Sequence, residues 1–361
     1  MNLEVQPNKL KILHVVRRYG PVGGMERYVW ELTHELHLLG HQVAVICERC
    51  HSEKPQDIAV NELGEIAPRP RWLSQFRFSC RVAHWLSRHP HSGWLIHTNE
   101  RLGLHHLTTV HGSPFATVFD RPFWRRLSLR VWMQLYLERR ELRVARTIVP
   151  NSQFIRRQLI HYYPQHEAKL TAPIVPGVSP SVVRVWRVAP EDGGIIAFVG
   201  KEWQRKGLPM AIEIVKQLRR NRPHLELWVV GPEPQEIQHL FFGWQGGYRL
   251  LGWRNDLEYL GKIDVLLHPA KAEPYGMVIS EAMAACVPVV VSNKCGAADE
   301  VGVASGQVVP LDADLADWCS AVTNQLSRTD KLVPYTRSWR DVAQDYEAIY
   351  RTDEKYFPMQ K

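Results

Sequence analysis

Short β-branched runs that end at a glycine or proline, each followed by a helical stretch, recur along this chain and leave few folds open to it. In the first half, residues 11–16 lead through Arg17-Arg18-Tyr19-Gly20-Pro21-Val22-Gly23-Gly24 into a helix over 25–40. That helix places Val29, Leu32, Leu36 and Leu39 at helical spacing, and the strand Val43-Ala44-Val45-Ile46 follows. This is a βαβ unit, the opening of a parallel sheet. The second half restarts the series: a strand ending at Gly200, a loop over 201–207, a helix over 208–220 and a strand over 225–230. Further strands are expected at 94–97, 107–112 and 147–150, an extended piece at 171–178, and strands at 248–253, 265–268, 287–292 and 306–311. Helices are expected at 153–163, 314–327 and 339–350. Residues 179–193, with Pro180 and Pro190, read as a linker. The pattern predicts an α/β protein of two doubly wound Rossmann-like domains whose strand ends face each other across a cleft.

Within that frame one stretch carries unusual chemistry. The apolar run 265–268 ends at Pro269, and Pro274 and Gly276 mark a tight loop in Lys271-Ala272-Glu273-Pro274-Tyr275-Gly276 before a helical pattern that runs from about Gly276 to Ala285. Glu273 therefore sits at the carboxyl end of a strand, where open α/β sheets bind ligands. Glu281 lies a turn or two into the following helix, whose start offers free N–H groups and the positive end of a dipole to an anion. The glycine turn at Gly23-Gly24 holds the equivalent place after the first strand. It is neither G-x-G-x-x-G nor G-x-x-x-x-G-K-[ST], so the dinucleotide and P-loop fingerprints are absent. His111 ends the strand expected at 107–112, next to Gly112, on the same edge as that turn.

Charge narrows the partners. The net charge is +8, and residues 1–180 carry 24 basic against 14 acidic side chains while the remainder carries 21 against 23. The basic excess of the first half points to an anionic partner there. Residues 52–92 set Trp72, Phe76, Phe78, Val82, Trp85 and Leu86 among arginines. Residues 115–146 interleave aromatic and aliphatic side chains with Arg121, Arg125, Arg126, Arg130, Arg139, Arg140, Arg143 and Arg146. From Pro122 the spacing is helical; it reads either as a membrane-surface element or as a core helix with a solvated arginine face. No nucleic-acid module accompanies the charge. The polar N-terminus lacks signal-peptide organisation and no run approaches the ~20 apolar residues of a membrane span, so a cytoplasmic location is expected. Six scattered cysteines fit reduced thiols, and Cys47-Glu48-Arg49-Cys50 lacks the second ligand pair of a zinc site.

Taken in order, several motifs resemble the GT-B retaining glycosyltransferases of family four, in particular its bacterial lipopolysaccharide-core glucosyltransferases. They are Gly23-Gly24, Thr109-Val110-His111-Gly112, Asn151-Ser152, Pro176-Gly177-Val178, Val199-Gly200 with Arg205-Lys206-Gly207, Leu251-Gly252-Trp253-Arg254-Asn255-Asp256, Glu273 with Glu281, and Trp339, Tyr346 and Tyr350 in the last helix. The resemblance implies an acceptor-side domain over 1–180, with a terminal helix over 339–357 packing back on it, and a nucleotide-sugar domain over 190–335. It implies transfer of a hexose from a UDP-sugar to a lipopolysaccharide-core or lipid-linked glycan at the inner membrane face. Neither metal nor resident cofactor is required, and configuration is retained. Arg205 and Lys206 would neutralise the donor diphosphate, with Gly23 and Gly24 approaching the same phosphate. Glu281 would hold the ribose and Glu273 a donor-sugar hydroxyl. The N–H groups of Gly276, Met277 and Val278 would hold other hydroxyls, His111 would touch the sugar, and Trp253 and Arg254 would sit by the base. The family often places arginine directly after the glycine matched by Gly200. Here that residue is Lys201, so either Lys201 or Arg205 fills its role. Alternatives from other classes are a GT-B phosphorylase using Lys271 or Lys294 for a pyridoxal cofactor, a nucleotide-sugar epimerase, and a non-catalytic partner protein. Asp312-Ala313-Asp314 spells an Asp-x-Asp metal motif but sits where a helix cap belongs.

Overall fold

The computed structural model describes residues 9–179, 182–254 and 256–354. Residues 1–8 of the polar N-terminus, Asn255 of the 251–256 motif and the stretch 355–357 of the expected last helix lie outside them. The chain divides into two compact units, Met1–Gly177 with Ser338–Lys361, and Val178–Arg337.

The first unit is built on six parallel strands. They are β1 (Lys11–Val15), β2 (Gln42–Cys47), β3 (Ala59–Glu62), β4 (Leu95–Thr98), β5 (Leu107–Val110) and β6 (Thr147–Pro150), in the order β3-β2-β1-β4-β5-β6. The chain starts at β1, winds outward through β2 and β3, then crosses back to β4. The order therefore reverses between β1 and β4, which pair in parallel with Ile12 opposite Leu95. Ile12, Leu13, His14 and Val15 are all buried, which accounts for a continuous apolar run where a half-exposed strand would alternate.

Helix α1 (Gly24–Leu38) buries Tyr28, Val29, Leu32 and Leu36. The terminal helix (Trp339–Glu354) closes this unit: Tyr346 Oη lies 3.0 Å from Tyr28 Oη and 2.7 Å from Thr109 Oγ1, and Tyr350 Oη is 2.7 Å from His97 Nδ1. Four buried hydroxyls and an imidazole thus satisfy one another, His97 Nε2 lying 2.8 Å from Thr109 Oγ1, as burial demands. Ser152 caps α4 (Gln153–Tyr162) by accepting the Ile155 N–H at 3.2 Å.

One local expectation changes, and two further stretches gain detail. Residues 71–88 form a helix, α2 (Arg71–Arg88); Phe78, Val82 and Leu86 recur every four residues and are buried together, so the helical period sets the structure there. The basic helix does not start at Pro122. A short 3-10 turn (Phe123–Arg126) comes first, and α3 (Leu129–Val144) begins after an extended Ser128. Residues 171–178 form no strand, although Thr171 N and Ile174 N donate to Ile148 O and Pro150 O along β6.

The second unit repeats the design with β7 (Gly193–Val199), β8 (His224–Val230), β9 (Tyr248–Gly252), β10 (Val265–His268), β11 (Val289–Ser292) and β12 (Gly306–Val309), all parallel, in the order β9-β8-β7-β10-β11-β12. Helices α5 (Leu208–Leu218) and α7 (Leu315–Leu326) cover one face. Their Leu208, Ile212, Val215, Trp318 and Val322 pack with Phe198 in one core. Truncating the fully buried Trp318 to alanine removes about 3–5 kcal/mol. The expected linker is anchored to this unit. Asp264, 4% exposed, accepts from Arg184 at 2.8 Å, Arg187 at 3.0 Å and the Ile195 N–H at 2.8 Å.

Candidate active site

In the second unit the strand order reverses between β7 and β10, which pair with Val265 opposite Ile196. The loops leaving these two strands are far apart in sequence and adjacent in space, and this is how the candidate residues meet. After β7 the chain turns at Gly200 and forms one helical turn, Trp203–Lys206, that ends at Gly207. After β10 it runs through Pro269 and Glu273 to Gly276, which precedes α6 (Met277–Ala284).

Two glycines make the approach possible. Gly207 has φ +86°, and a Cβ there would lie 2.0 Å from the Pro269 carbonyl oxygen. Gly200 has φ +147°, and a Cβ there would lie 2.1 Å from Lys206 Cδ. Any other residue at 200 would displace the Lys206 stem. The loops are then tied by main-chain bonds, Lys271 N to Arg205 O and Glu273 N to Lys294 O, both 2.9 Å.

The result is a charge cluster around Glu273, which is 7% exposed. Its Oε2 lies 3.0 Å from Lys206 Nζ, 3.4 Å from Arg205 Nη1 and 3.6 Å from His268 Nε2. Among the described residues Oε2 receives no aligned hydrogen bond, so the pairing is Coulombic. Burial would raise the Glu273 carboxyl; Lys206 first, then His268 and Arg205, outweigh it and hold the pKa well below the carboxylate range. Burial lowers the pKa of His268, which ends β10, so it is the cations that balance the carboxylate. Arg205 also pairs with the exposed Glu202, Nε to Oε2 at 2.8 Å, and bonds the Ala272 carbonyl. Lys201 is exposed and follows Gly200 directly. Two cations, Arg205 and Lys206, thus meet two carboxylates, Glu202 and Glu273, with the exposed Lys201 on the same loop.

The remaining candidates of this unit lie on the same strand-end loops. Gly276 has φ +96°, the left-handed conformation that aims the first N–H groups of α6, those of Met277 and Val278, out of its N-terminus. Glu281 is the fifth residue of α6 and half-buried; Trp253 is exposed just after β9, and the exposed Arg254 pairs with Asp256 at 3.0 Å. Lys271 and Lys294 are both exposed. Asp314 occupies the N-cap position of α7 without a side-chain cap bond, and Asp312 is exposed beside it.

The first unit carries the other candidates at its own reversal point. Gly23 is the N-cap of α1 and Gly24 its first residue. A Cβ on Gly23 would collide with the Glu26 carboxylate, which pairs with Arg18. His111 follows β5; its Nε2 is 2.8 Å from Asn99 Oδ1, Tyr28 meets it edge-on at 4.8 Å, and desolvation lowers its pKa to about 3. A cavity of about 1330 Å³ opens here, with Arg17, Glu100, Arg101, His111 and Gln134 among its lining.

Several contributors escaped the sequence reading. His268 ends a strand as His111 does, and that signal was available. Glu202, Glu48 and Glu100 carried none, since their partners are distant in sequence or lie on exposed turns.

Two family profiles cover most of the chain. Residues 22–181 match the one described as Glycosyltransferase Family 4, and residues 193–328 the one described as Glycosyl transferases group 1. Among curated proteins, the lipopolysaccharide glucosyltransferase WaaG of Escherichia coli K12 is 28% identical over a stretch covering 46% of this chain and 46% of that protein. The lipopolysaccharide core biosynthesis glycosyltransferase LpsE of Rhizobium meliloti is 32% identical over 30% of this chain and 32% of that protein. The aligned part of the chain thus spans less than half the length of each curated relative. In fold, the chain matches a crystal structure of WaaG with a TM-score of 0.76 at 20% identity, covering 93% of this chain and 95% of that one. It matches Anabaena Alr3699/HepE, in complex with UDP and glucose, with a TM-score of 0.64 at 16% identity over 95% and 100% of the two chains. Two doubly wound parallel sheets of the GT-B kind, with both profiles in order along the sequence, place this chain in the group 1, family 4 glycosyltransferases.

Proposed function

We propose that the chain transfers a hexose, with retention of configuration, from a UDP-sugar to a lipopolysaccharide-core or lipid-linked glycan at the cytoplasmic face of a membrane. The observation that carries this reading is the meeting of Lys206 and Arg205 with Glu273 at the reversal point of the second sheet. Cations fixed where a nucleoside diphosphate departs stabilise the charge that develops on it. The donor's C1–O bond to the β-phosphate breaks, the acceptor oxygen bonds to C1 on the same face, and the acceptor proton passes to the departing phosphate. No general-base side chain and no metal are needed for that balance, because Lys201, Arg205 and Lys206 supply the positive charge.

The other roles follow by position. Glu281 accepts the ribose hydroxyls, Glu273 a hydroxyl of the donor sugar, and the amides of Gly276, Met277 and Val278 further hydroxyls. Trp253 and Arg254 lie by the base. In the first unit Gly23, Gly24 and His111 line the edge that serves the sugar and its phosphate. The acceptor takes the cavity of the first unit. The names of WaaG and LpsE, both lipopolysaccharide enzymes, and the UDP bound to HepE support the donor and acceptor classes.

Membrane attachment rests on α3 and the turn before it. That helix buries Leu135, Leu137 and Leu142 together with Glu138 and Glu141. Its outer stripe shows Leu129, Trp132, Tyr136, Arg139 and Arg143, and the preceding turn exposes Phe123, Trp124 (62%) and Leu127 (75%). Aromatic and basic side chains on one solvent-facing stripe suit an anionic lipid surface. No helix among the described residues is long and apolar enough to cross a membrane.

A thermal-shift screen of nucleotide sugars, followed by detection of released UDP, tests the donor assignment. The expected result is a rise in melting temperature with a UDP-sugar and turnover that Glu273→Ala abolishes. Unchanged turnover in that variant would sink the site assignment.

A further inference from the structure

The cavity of the first unit sorts its charges into two sets. Four arginine–glutamate pairs are satisfied within it: Arg17–Glu48 at 2.6 Å, Arg49–Glu65 at 3.2 Å, Arg101–Glu138 at 2.9 Å, and Arg18–Glu26. Three further guanidiniums, Arg69, Arg71 and Arg130, line the same cavity. Each is exposed, and none makes an ion pair or hydrogen bond among the described residues.

The carboxylates left to oppose them are Glu100 and Glu141. Glu100 accepts the Arg17 N–H at 3.2 Å and Glu141 accepts from Thr108 Oγ1 at 2.6 Å; both are buried, and burial pushes each pKa up to about 7. The cavity therefore keeps positive charge that its own acids do not cancel. None of the three arginines makes a direct ion pair, Arg71 acting on Glu100 only through a minor long-range attraction, and holding like charges around one cavity is unfavourable. Their forked donors match the oxygens of a phosphate or carboxylate two at a time.

We infer that this cavity receives a saccharide carrying an anionic substituent, a phosphate ester or a carboxylate, and that Arg69, Arg71 and Arg130 hold that substituent. The inference rests on the glycosyltransferase reading and adds to it the charge class of the acceptor. The floor of the cavity, with Asn99, Glu100 and Gln134, presents uncharged or proton-sharing groups suited to hydroxyls, so the two parts of such a ligand find different surroundings.

The test uses the full chain saturated with UDP, so that phosphate probes are kept from the Lys206 site. Glucose, glucose 6-phosphate, glucuronate and inorganic phosphate are titrated by calorimetry, in the wild type and in the triple variant Arg69→Gln/Arg71→Gln/Arg130→Gln. The expected result is binding of glucose 6-phosphate or glucuronate at least fivefold tighter than glucose, falling to within twofold in the triple variant, whose UDP-induced melting shift is unchanged. Preference for glucose 6-phosphate identifies a phosphate substituent, and preference for glucuronate a carboxylate. Equal affinities for glucose and both anionic sugars in the wild type overturn the proposal, as does a preference that survives the triple substitution. Inorganic phosphate binding as tightly as glucose 6-phosphate overturns the saccharide part. A wild type whose melting temperature ignores UDP overturns the donor reading instead. The arginine comparison, repeated in a Lys206→Ala background, then stands or falls separately.

Discussion

The two units share one sheet order and put their charged side chains at the same topological point, yet they treat charge in opposite ways. At the β7/β10 reversal, Arg205 and Lys206 face Glu202 and Glu273, and Lys206 above all drives the Glu273 carboxyl far down. At the β1/β4 reversal, Arg17 and Arg18 face Glu26, Glu48 and Glu100; each arginine is bound to one acid, and Glu100 is left with its pKa raised to about 7. Topology fixes where a site forms. A few loop side chains decide whether cations stand free for an anion at the reversal point itself or are paired off there, leaving polar groups for hydroxyls and the uncancelled arginines further out on the cavity wall.

Removing the second unit's carboxylate breaks this contrast most severely. Glu273→Ala strips the counter-charge from Lys206 and Arg205 and the sugar contact from the donor, and transfer measured by UDP release is expected to fall about 10²–10³-fold. Retention of more than a tenth of wild-type turnover contradicts the role given to Glu273.

Next in size is the loss of the lysine or of its seat. Lys206→Ala lowers UDP affinity about 10–100-fold, from the roughly 1.5–3 kcal/mol of a charged hydrogen bond. Gly200→Ala should imitate it while leaving Lys206 in the sequence, because the new methyl takes the place of the lysine stem. Calorimetry that finds Gly200→Ala binding UDP like wild type would show the stem to be free to move.

The pH dependence of stability separates the units by sign. The native Glu100 binds its proton more tightly than the unfolded chain does, so its contribution is present below the ordinary carboxylate value, about 4.5, and is lost as pH rises toward 7. Glu273 is the reverse: its contribution is present above about 4.5 and is lost as pH falls below it. Denaturant unfolding of Glu100→Gln should therefore show a gain of about 3 kcal/mol at pH 8 that vanishes near pH 4.5. A gain of the same size at both pH values would mean that the burial of Glu100 is not what the substitution relieves.

The smallest expected effect lies outside both reversal points. Trp124→Ser with Trp132→Ser should reduce flotation with vesicles containing anionic phosphatidylglycerol several-fold and leave UDP binding alone, since each exposed aromatic adds about 1 kcal/mol at an interface. Flotation that is equal with neutral vesicles rejects the basic-surface account.

How far the sequence could be read follows the same division. Strands buried on both faces announce themselves, and 265–268 or 195–199 needed only apolar runs ending at proline or glycine. Glu273 was legible because a proline and a glycine frame it at a strand end, whereas Arg205 and Lys206 stood out only through the family resemblance. The fate of 122–146 was not. The count of arginines and aromatics implied one amphipathic helix, but Glu138 and Glu141 turn inward to serve Arg101, the Phe115 and Ala116 amides and Thr108, which no local spacing encodes. Arg69, Arg71 and Arg130 come from a loop and two helices, and only the folded first unit puts them around one cavity.

The terminal helix has a consequence for how the molecule is made. Tyr346 and Tyr350 complete the buried hydroxyl network with Tyr28, Thr109 and His97, but they leave the ribosome after the whole second unit has been synthesised. The unit translated first must therefore wait with part of its interior unsealed, and the one translated second can fold from a continuous segment before it. In a nascent chain the order of synthesis and the order of completion are inverted.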